Sequence, residues 1–272
     1  MPATERTTLT HNHLCVVHPD AQIGQNVTIS PFVTIAADVV IGDGTWIGPN
    51  VHIMDGVRIG RNCRIFSGAI VGSIPQDLKF KGEKTYLKIG DNTTIREYCT
   101  LNVGTAASWE TVIGSNCLIM AYVHVAHDCI IGNNCVLANN VTLAGHITIG
   151  NYAVLGGMAA VHQFVKIGES AMIGGGSLVR LDVPPFITAA REPLSYAGVN
   201  KINLKRRGFS PERIAHIQDI YRILFVRNHN LQKAIPQMKE QIDESADKSH
   251  IMQFIEDSER GLLKGFRTSK EK

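Results

Sequence analysis

Three observations in this 272-residue chain predict a mainly β protein, a parallel β-helix over residues 1–186 joined by a linker to an α-helical domain within 187–272. An aliphatic residue falls on every sixth position for most of the first part, and a hexapeptide period is the signature of a parallel β-helix. The period breaks at about 72–88 and 102–112, as inserted loops would break it. Beyond Val183 it gives way to helical spacing.

The count starts at Val17 and runs through Ile23, Ile29, Ile35, Ile41, Ile47, Ile53, Ile59 and Ile65 to Val71. It resumes at Ile89, Ile95 and Leu101, then runs unbroken from Ile113 to Val179, and all twenty-five positions are Ile, Leu or Val. Each hexad supplies a short strand and a corner. Three hexads close a triangular coil, and coils stack about 4.8 Å apart, the spacing of paired strands. The fifth position is small or β-branched (Val27, Val33, Thr45, Cys63, Ala69), so positions one and five point inward. Gly often follows the aliphatic residue, as at Gly24, Gly42 and Gly48, and Asn often takes position four, as at Asn26, Asn50 and Asn62. Both tolerate the positive φ that tight corners require. All six cysteines, from Cys15 to Cys135, keep position five and read as small apolar core residues.

The first break, GSIPQDLKFKGEKTYLK, carries Pro, Lys and aromatics where a corner belongs, and the second, NVGTAASWETV, is briefer. Insertions in a solenoid tend to leave from one face, often the binding face. Pro184-Pro185 ends the strand register, and a loop is expected to about Phe209. Ser210-Pro211-Glu212 reads as an N-cap, a first-turn proline and an acid. Ile214, Ile217, Ile220, Tyr221, Leu224 and Phe225 follow at helical spacing, and further helices fit 231–245 and 250–264. These helices are expected to cap or flank the open end of the coil, whose backbone groups need partners.

Net charge is +3 with pI near 8.5, too mild to argue for nucleic acid. Met1 to Thr10 is polar and does not read as a signal peptide, and no apolar run is long enough to span a membrane. Thiols used as packing residues suit a reducing cytoplasm. The flat sides of such a solenoid suit symmetric self-association.

Histidines leave the hexad code. His124, His127, His146 and His162 hold positions six, three, four and two, none of them inward. Residues eighteen apart stack, so His127 lies under Gly145 and Gly145 under Gln163, while Asp128 lies under His146. One edge therefore collects an imidazole, a carboxylate and a glycine N–H, the parts of an acid–base site with an oxyanion donor. The bland reading is a solvated surface. The competing chemistry is a zinc site, but histidines at different hexad positions need not converge. Lys201, Lys205, Arg206 and Arg207 form a basic cluster that suits phosphate, as do Lys79 and Lys81 in the first insertion.

The runs HVAHDC (124–129), LANNVTLAGH (137–146), GGMAAVHQF (156–164), DVPPF (182–186) and GVN…LKRRGFS (198–210), with PQDLKFKGE (75–83), closely resemble the UDP-N-acetylglucosamine acyltransferases that begin lipid A synthesis. The resemblance spans nearly the whole chain. It implies a left-handed coil, a homotrimer with active sites between subunits, and transfer of a 3-hydroxyacyl chain from acyl carrier protein to the 3-hydroxyl of UDP-GlcNAc, with no cofactor or metal. It also implies roles. His127 would be the general base, Asp128 its support and Gly145 the oxyanion donor. His124, His146, His162 and Gln163 would hold sugar, phosphate or acyl chain. Gln76, Asp77 and Lys79 would grip the nucleotide sugar, Asn200, Arg206 and Arg207 would lie near uridine and diphosphate, and Gly175 would leave the acyl groove open to a chain on the order of fourteen carbons or more. Two departures bear on the nucleotide contacts: Val103 stands where relatives commonly have Arg, and Ile202 stands near a position where some use Glu. They leave open a 3-amino analogue of the sugar.

Overall fold

The computed structural model describes residues 10–11, 14–228 and 231–265. The N-terminal stretch read above as no signal peptide lies almost wholly outside them.

Three parallel sheets form the walls of a triangular coil. The first wall stacks Thr28–Ile29, Trp46–Ile47 and Arg64–Ile65 in register. The second stacks Thr34–Ile35, His52–Ile53 and Ile70–Ser73, and the third stacks Gln22–Ile23, Val39–Ile41 and Val57–Ile59. Most strands are only two residues long, hexad positions six and one. Alternation of a strand's side chains then sends position six out and position one in. Ile47, Ile65, Ile95 and Ile119 follow one another up the axis, all fully buried. Each such side chain contributes roughly 1.5–3 kcal/mol by leaving water.

Asparagine and glycine divide the corner work differently from expectation. Positive φ sits at position four, at Asn26 (56°), Asn50, Asn62, Asn92 and Asn116, and equally at Tyr98, Tyr122, Asp128, His146 and Phe164. The position-two glycines, apart from Gly72 (φ 89°), serve close approach instead. A Cβ on Gly42 would sit 2.6 Å from the carbonyl carbon of Gly60, one coil up. Each cysteine donates its S–H to a carbonyl, as Cys63 to Gly90 O at 3.2 Å and Cys129 to Ala144 O at 3.1 Å. Burial pushes the Cys99 and Cys129 thiols up to about 12.

Both insertions are shorter than the sequence suggests. Ile70–Ser73 and Tyr86–Ile89 stay in the walls, so the first excursion is 74–85; Thr100–Asn102 and Glu110–Ile113 leave 103–109 for the second. Buried Val71, Leu87, Leu101 and Ile113 hold the flanks in the ladder.

The segment expected as loop contains an antiparallel hairpin, Ile187–Ala190 with Ser195–Val199, which extends the first wall beyond Met172–Ile173. The edge of that wall is thus finished by strands. A helix, whose hydrogen bonds are internal, has no free row of N–H and C=O groups to offer. Four helices follow among the described residues: α1 (Lys201–Arg206), α2 (Pro211–Tyr221, continued by a π-helical turn over Arg222–Arg227), α3 (Leu231–Gln241) and α4 (Ala246–Glu256). α1 was not expected, and α4 starts and ends earlier than 250–264. The Ser245 side chain caps it by accepting from Lys248 N, while Leu262 forms a parallel β-bridge with Asp182. Tyr221, fully buried, ties α2 to the coil by donating to Pro185 O at 2.6 Å. Arg213 forks onto Asp247 at 2.7 and 2.8 Å, joining α2 to α4. Among the described residues no helix is long and apolar enough to cross a membrane.

Candidate active site

The corner between the second and third walls carries Asp128, His146 and Phe164 at position four of successive coils, with His127, Gly145 and Gln163 one residue before each. The eighteen-residue register is direct: His124 pairs with Thr142, and Thr142 with Ala160. Both insertions emerge at this corner.

His127 Nδ1 lies 2.8 Å from Asp128 Oδ2. The Asp128 side chain has no exposed surface. Its carboxylate accepts from Thr105 N–H at 2.9 Å, from the Thr105 hydroxyl at 2.6 Å and from the Ser108 hydroxyl. Burial alone would raise this carboxyl's pKa; the hydrogen bonds from Ser108, Thr105 and His127 outweigh it and hold it at about 2. Asp128 is therefore an anion that only accepts. Nδ1 of His127 must carry the proton, which leaves Nε2 as the lone-pair nitrogen.

His146 stacks on Phe164 (centroids 4.6 Å apart, 9° between planes) and meets His127 edge-on at 5.0 Å. Its Nδ1 lies 3.7 Å from the same Asp128 oxygen. Burial lowers the pKa of His146, against the pull of Asp128. Gly145 fits against the His127 ring from the coil above because it lacks a side chain: a Cβ there would fall 2.5 Å from His127 Cε1 and 2.8 Å from Nε2. Its N–H finds no acceptor among the described residues.

Other expected site residues divide between this corner and elsewhere. His124 stands on the second wall with Nδ1 2.7 Å from the Thr100 hydroxyl, and burial lowers its pKa. His162 and Gln163 are exposed, with His162 Nδ1 3.1 Å from the Gln163 carbonyl. On the first insertion Gln76 and Lys79 are exposed, and Asp77 Oδ1 accepts from Lys79 N–H at 2.9 Å. The charges of Asp77 and Lys79 reach His146.

Four residues fall on other corners of the same protomer. Arg207 pairs with Glu169 and the Ser170 hydroxyl, both at 2.6 Å, and lies 3.9 Å over the Tyr152 ring, at the corner between the third and first walls. Asn200 is buried there; its amide donates to Ser170 O at 2.9 Å and caps α1. Arg206 is exposed on α1. Gly175 is exposed at the corner between the first and second walls, where a Cβ would sit 3.1 Å from Gly157 O. Val103 is buried and Ile202 exposed.

Sequence reasoning missed Thr105, Ser108 and Phe164. Phe164 could have been found by adding eighteen to His146. Thr105 and Ser108 lie in a loop whose path no hexad count fixes.

A metal is the other chemistry this cluster invites. His127, Asp128 and His146 each bring a ligand atom within 4.8 Å of the others. Each Asp128 oxygen, however, already accepts two hydrogen bonds, from Thr105 N–H and Ser108 on one and from the Thr105 hydroxyl and His127 on the other. The donors fit an oriented imidazole better than a coordination shell.

A hexad coil with an imidazole–carboxylate pair and an open backbone N–H on one corner defines a hexapeptide-repeat transferase. Residues 38–73 and 110–145 match the bacterial transferase hexapeptide family, and residues 182–263 match the family described as UDP N-acetylglucosamine O-acyltransferase, domain 2. An acyl-[acyl-carrier-protein]–UDP-N-acetylglucosamine O-acyltransferase of Chlorobium phaeobacteroides is 60% identical over 247 residues, 90% of this chain and 94% of its own. One from Trichlorobacter lovleyi is 52% identical over 254 residues, 92% and 97% of the two chains. The crystal structure of a UDP-N-acetylglucosamine acyltransferase from Bacteroides fragilis superposes with a TM-score of 0.92 at 45% identity, covering 94% of this chain and all of the other. The chain belongs to the acyl-[acyl-carrier-protein]–UDP-N-acetylglucosamine O-acyltransferase family. The fold is that family's left-handed β-helix. Superposition preserves handedness, so the match supplies the coil sense that the period could not.

Proposed function

We propose that the protein transfers a 3-hydroxyacyl chain from acyl carrier protein to the 3-hydroxyl of UDP-GlcNAc, the opening step of lipid A synthesis. The observation that carries this reading is the buried Asp128 anion on Nδ1 of His127, which leaves Nε2 as a base beside the unpaired Gly145 N–H. Nε2 takes the proton of the sugar 3-hydroxyl as its oxygen attacks the thioester carbonyl. Gly145 N–H donates to the tetrahedral oxyanion. The carbon–sulfur bond then breaks, and the imidazolium returns its proton to the departing thiolate. Asp128 steadies the imidazolium without taking its proton. His124 and His146, both biased toward the neutral form, suit hydrogen bonding to sugar or phosphate.

The working unit is a homotrimer. Support comes from the separation of parts: the dyad and Gln76, Asp77 and Lys79 gather at one corner, whereas Asn200, Arg206 and Arg207 gather at another. One nucleotide sugar meets both sets only if neighbouring protomers face each other corner to corner. In that cleft Arg206 and Lys205, with Arg207, supply positive charge for the diphosphate and for an acidic carrier protein. The open surface at Gly175 suits an acyl chain of about fourteen carbons or more, each buried methylene being worth about 0.8 kcal/mol. Buried free thiols suit a reducing cytoplasm.

The test combines the purified protein with UDP-GlcNAc and 3-hydroxyacyl carrier proteins of several lengths, and detects products by mass. Absence of acylated nucleotide sugar at every length refutes the reading; retained activity in His127→Ala refutes the assigned base.

A further inference from the structure

The second insertion does more than break the period. Residues 103–109 pass directly beneath the dyad, and three of their donors converge on one buried carboxylate. The loop is itself held from below: Thr85 donates to Gly104 O at 2.7 Å, Glu83 accepts from Ala106 N–H at 3.1 Å, and Trp109 N–H donates to Thr105 O at 2.7 Å. Thr105 also accepts from Ala107 N–H at 3.2 Å, which aligns its hydroxyl so that the O–H points at Asp128. The carboxylate has no slack. Asp128 N–H is fixed to Thr111 at 2.9 Å, and both oxygens are held by donors from the insertion or by His127.

We propose that Thr105 and Ser108 are positioning residues for catalysis, which act through Asp128 to aim and tune His127. This rests on the reading of His127 as the general base. Without these hydroxyls the carboxylate rotates about its Cβ–Cγ bond, because only His127 and one backbone N–H then define its plane. The imidazole follows it, and Nε2 leaves the line to the sugar hydroxyl. The hydroxyls also share the Asp128 charge. Once they are removed, that charge falls more fully on His127 and favours the imidazolium, so the base is protonated at higher pH.

Titratable groups around the dyad are few. His146 faces Asp128 and His127 from the coil above, and His124 faces His127 from the second wall. Asp77 and Lys79 reach His146 from the first insertion, and Cys129 lies behind Asp128 in the core. None of these is altered by changing Thr105 or Ser108, so a shift in the pH profile reports on the dyad.

The experiment uses the full chain with UDP-GlcNAc and a 3-hydroxyacyl carrier protein, and compares Thr105→Val, Ser108→Ala, the double variant and Thr105→Ser. Removing a hydrogen bond to a charged group is expected to lower kcat roughly tenfold in each single variant and about a hundredfold in the double. KM for the nucleotide sugar should stay within about twofold, since neither hydroxyl touches substrate in this reading. The acid limb of the kcat/KM profile should move to higher pH, and Thr105→Ser, which keeps the hydroxyl, should return the rate. If Thr105→Val misfolds, as its melting curve would reveal, exposed Ser108 still carries the test through Ser108→Ala. Wild-type kcat and an unmoved acid limb in folded Ser108→Ala and Thr105→Val overturn the proposal, as does a rate loss that Thr105→Ser fails to restore. Activity retained in His127→Ala sinks the general-base reading instead, and a separate arm measures it.

Discussion

Placing a single methyl group at Gly145 tests the site most sharply. An added Cβ would lie 2.5, 2.8 and 3.1 Å from Cε1, Nε2 and Nδ1 of His127, so it lands on the imidazole itself. Ordinary carbon contacts are about 3.5–4.0 Å, so the ring must retreat by about 1 Å. Nδ1 is held 2.8 Å from the Asp128 carboxylate, so a displacement of that size misaligns the pair and carries Nε2 off its line. A misplacement of about 1 Å costs on the order of a hundredfold in rate. Stability should change little. Gly145 does not need the left-handed region, and Ala in a compatible backbone gains roughly 0.4–1 kcal/mol through the unfolded state, which offsets part of the local strain. We expect Gly145→Ala to melt within a few degrees of wild type while kcat falls about a hundredfold. Steady-state kinetics with 3-hydroxyacyl carrier protein, beside a melting curve, measures both. Wild-type kcat in Gly145→Ala would refute the argument that His127 must stay where it is.

Other consequences are equally open to measurement. Tyr221→Phe leaves the buried Pro185 carbonyl without its donor and should cost about 1–3 kcal/mol, read as a lower denaturation midpoint. Ile119→Ala opens a cavity in mid-coil and should cost roughly 2–5 kcal/mol by the same assay. Asp128, held down at about 2, contributes stability that is complete above about pH 4 and is lost as the pH falls toward 2; denaturation at pH 5 and pH 3 should show a smaller difference for Asp128→Asn than for wild type. Burial lowers the pKa of His124 and His146, so the unfolded chain binds their protons first and stability falls as the pH drops below about 6.5; His124→Gln should reduce that slope. Gly175→Met should shift preference toward shorter acyl chains, by about fourfold per methylene lost from the groove, and unchanged selectivity would rule Gly175 out as a determinant of length.

The coil was legible because period six admits one solution. A strand of two residues and a corner of four repeat identically, so inward Ile47, Ile65 and Ile95 declare themselves without any knowledge of the fold's hand. The same ruler found the stack of His127, Gly145 and Gln163, since eighteen residues is one turn of the coil and the register has no play. It also separated His127 and Asp128 from the core before any distance was known. What the period left undecided lay where the period stops. The path of 103–109 is set by contacts to Glu83, Thr85 and Asp128 that are distant in sequence, so Thr105 and Ser108 gave no local signal. The hairpin over 187–199 forms because the last rung of the first wall needs hydrogen-bond partners, a demand that belongs to the assembled coil. The pKa of Asp128 belongs to the tertiary structure for the same reason: a carboxyl's charge is fixed by what surrounds it, and here three donors from another coil decide the contest with burial.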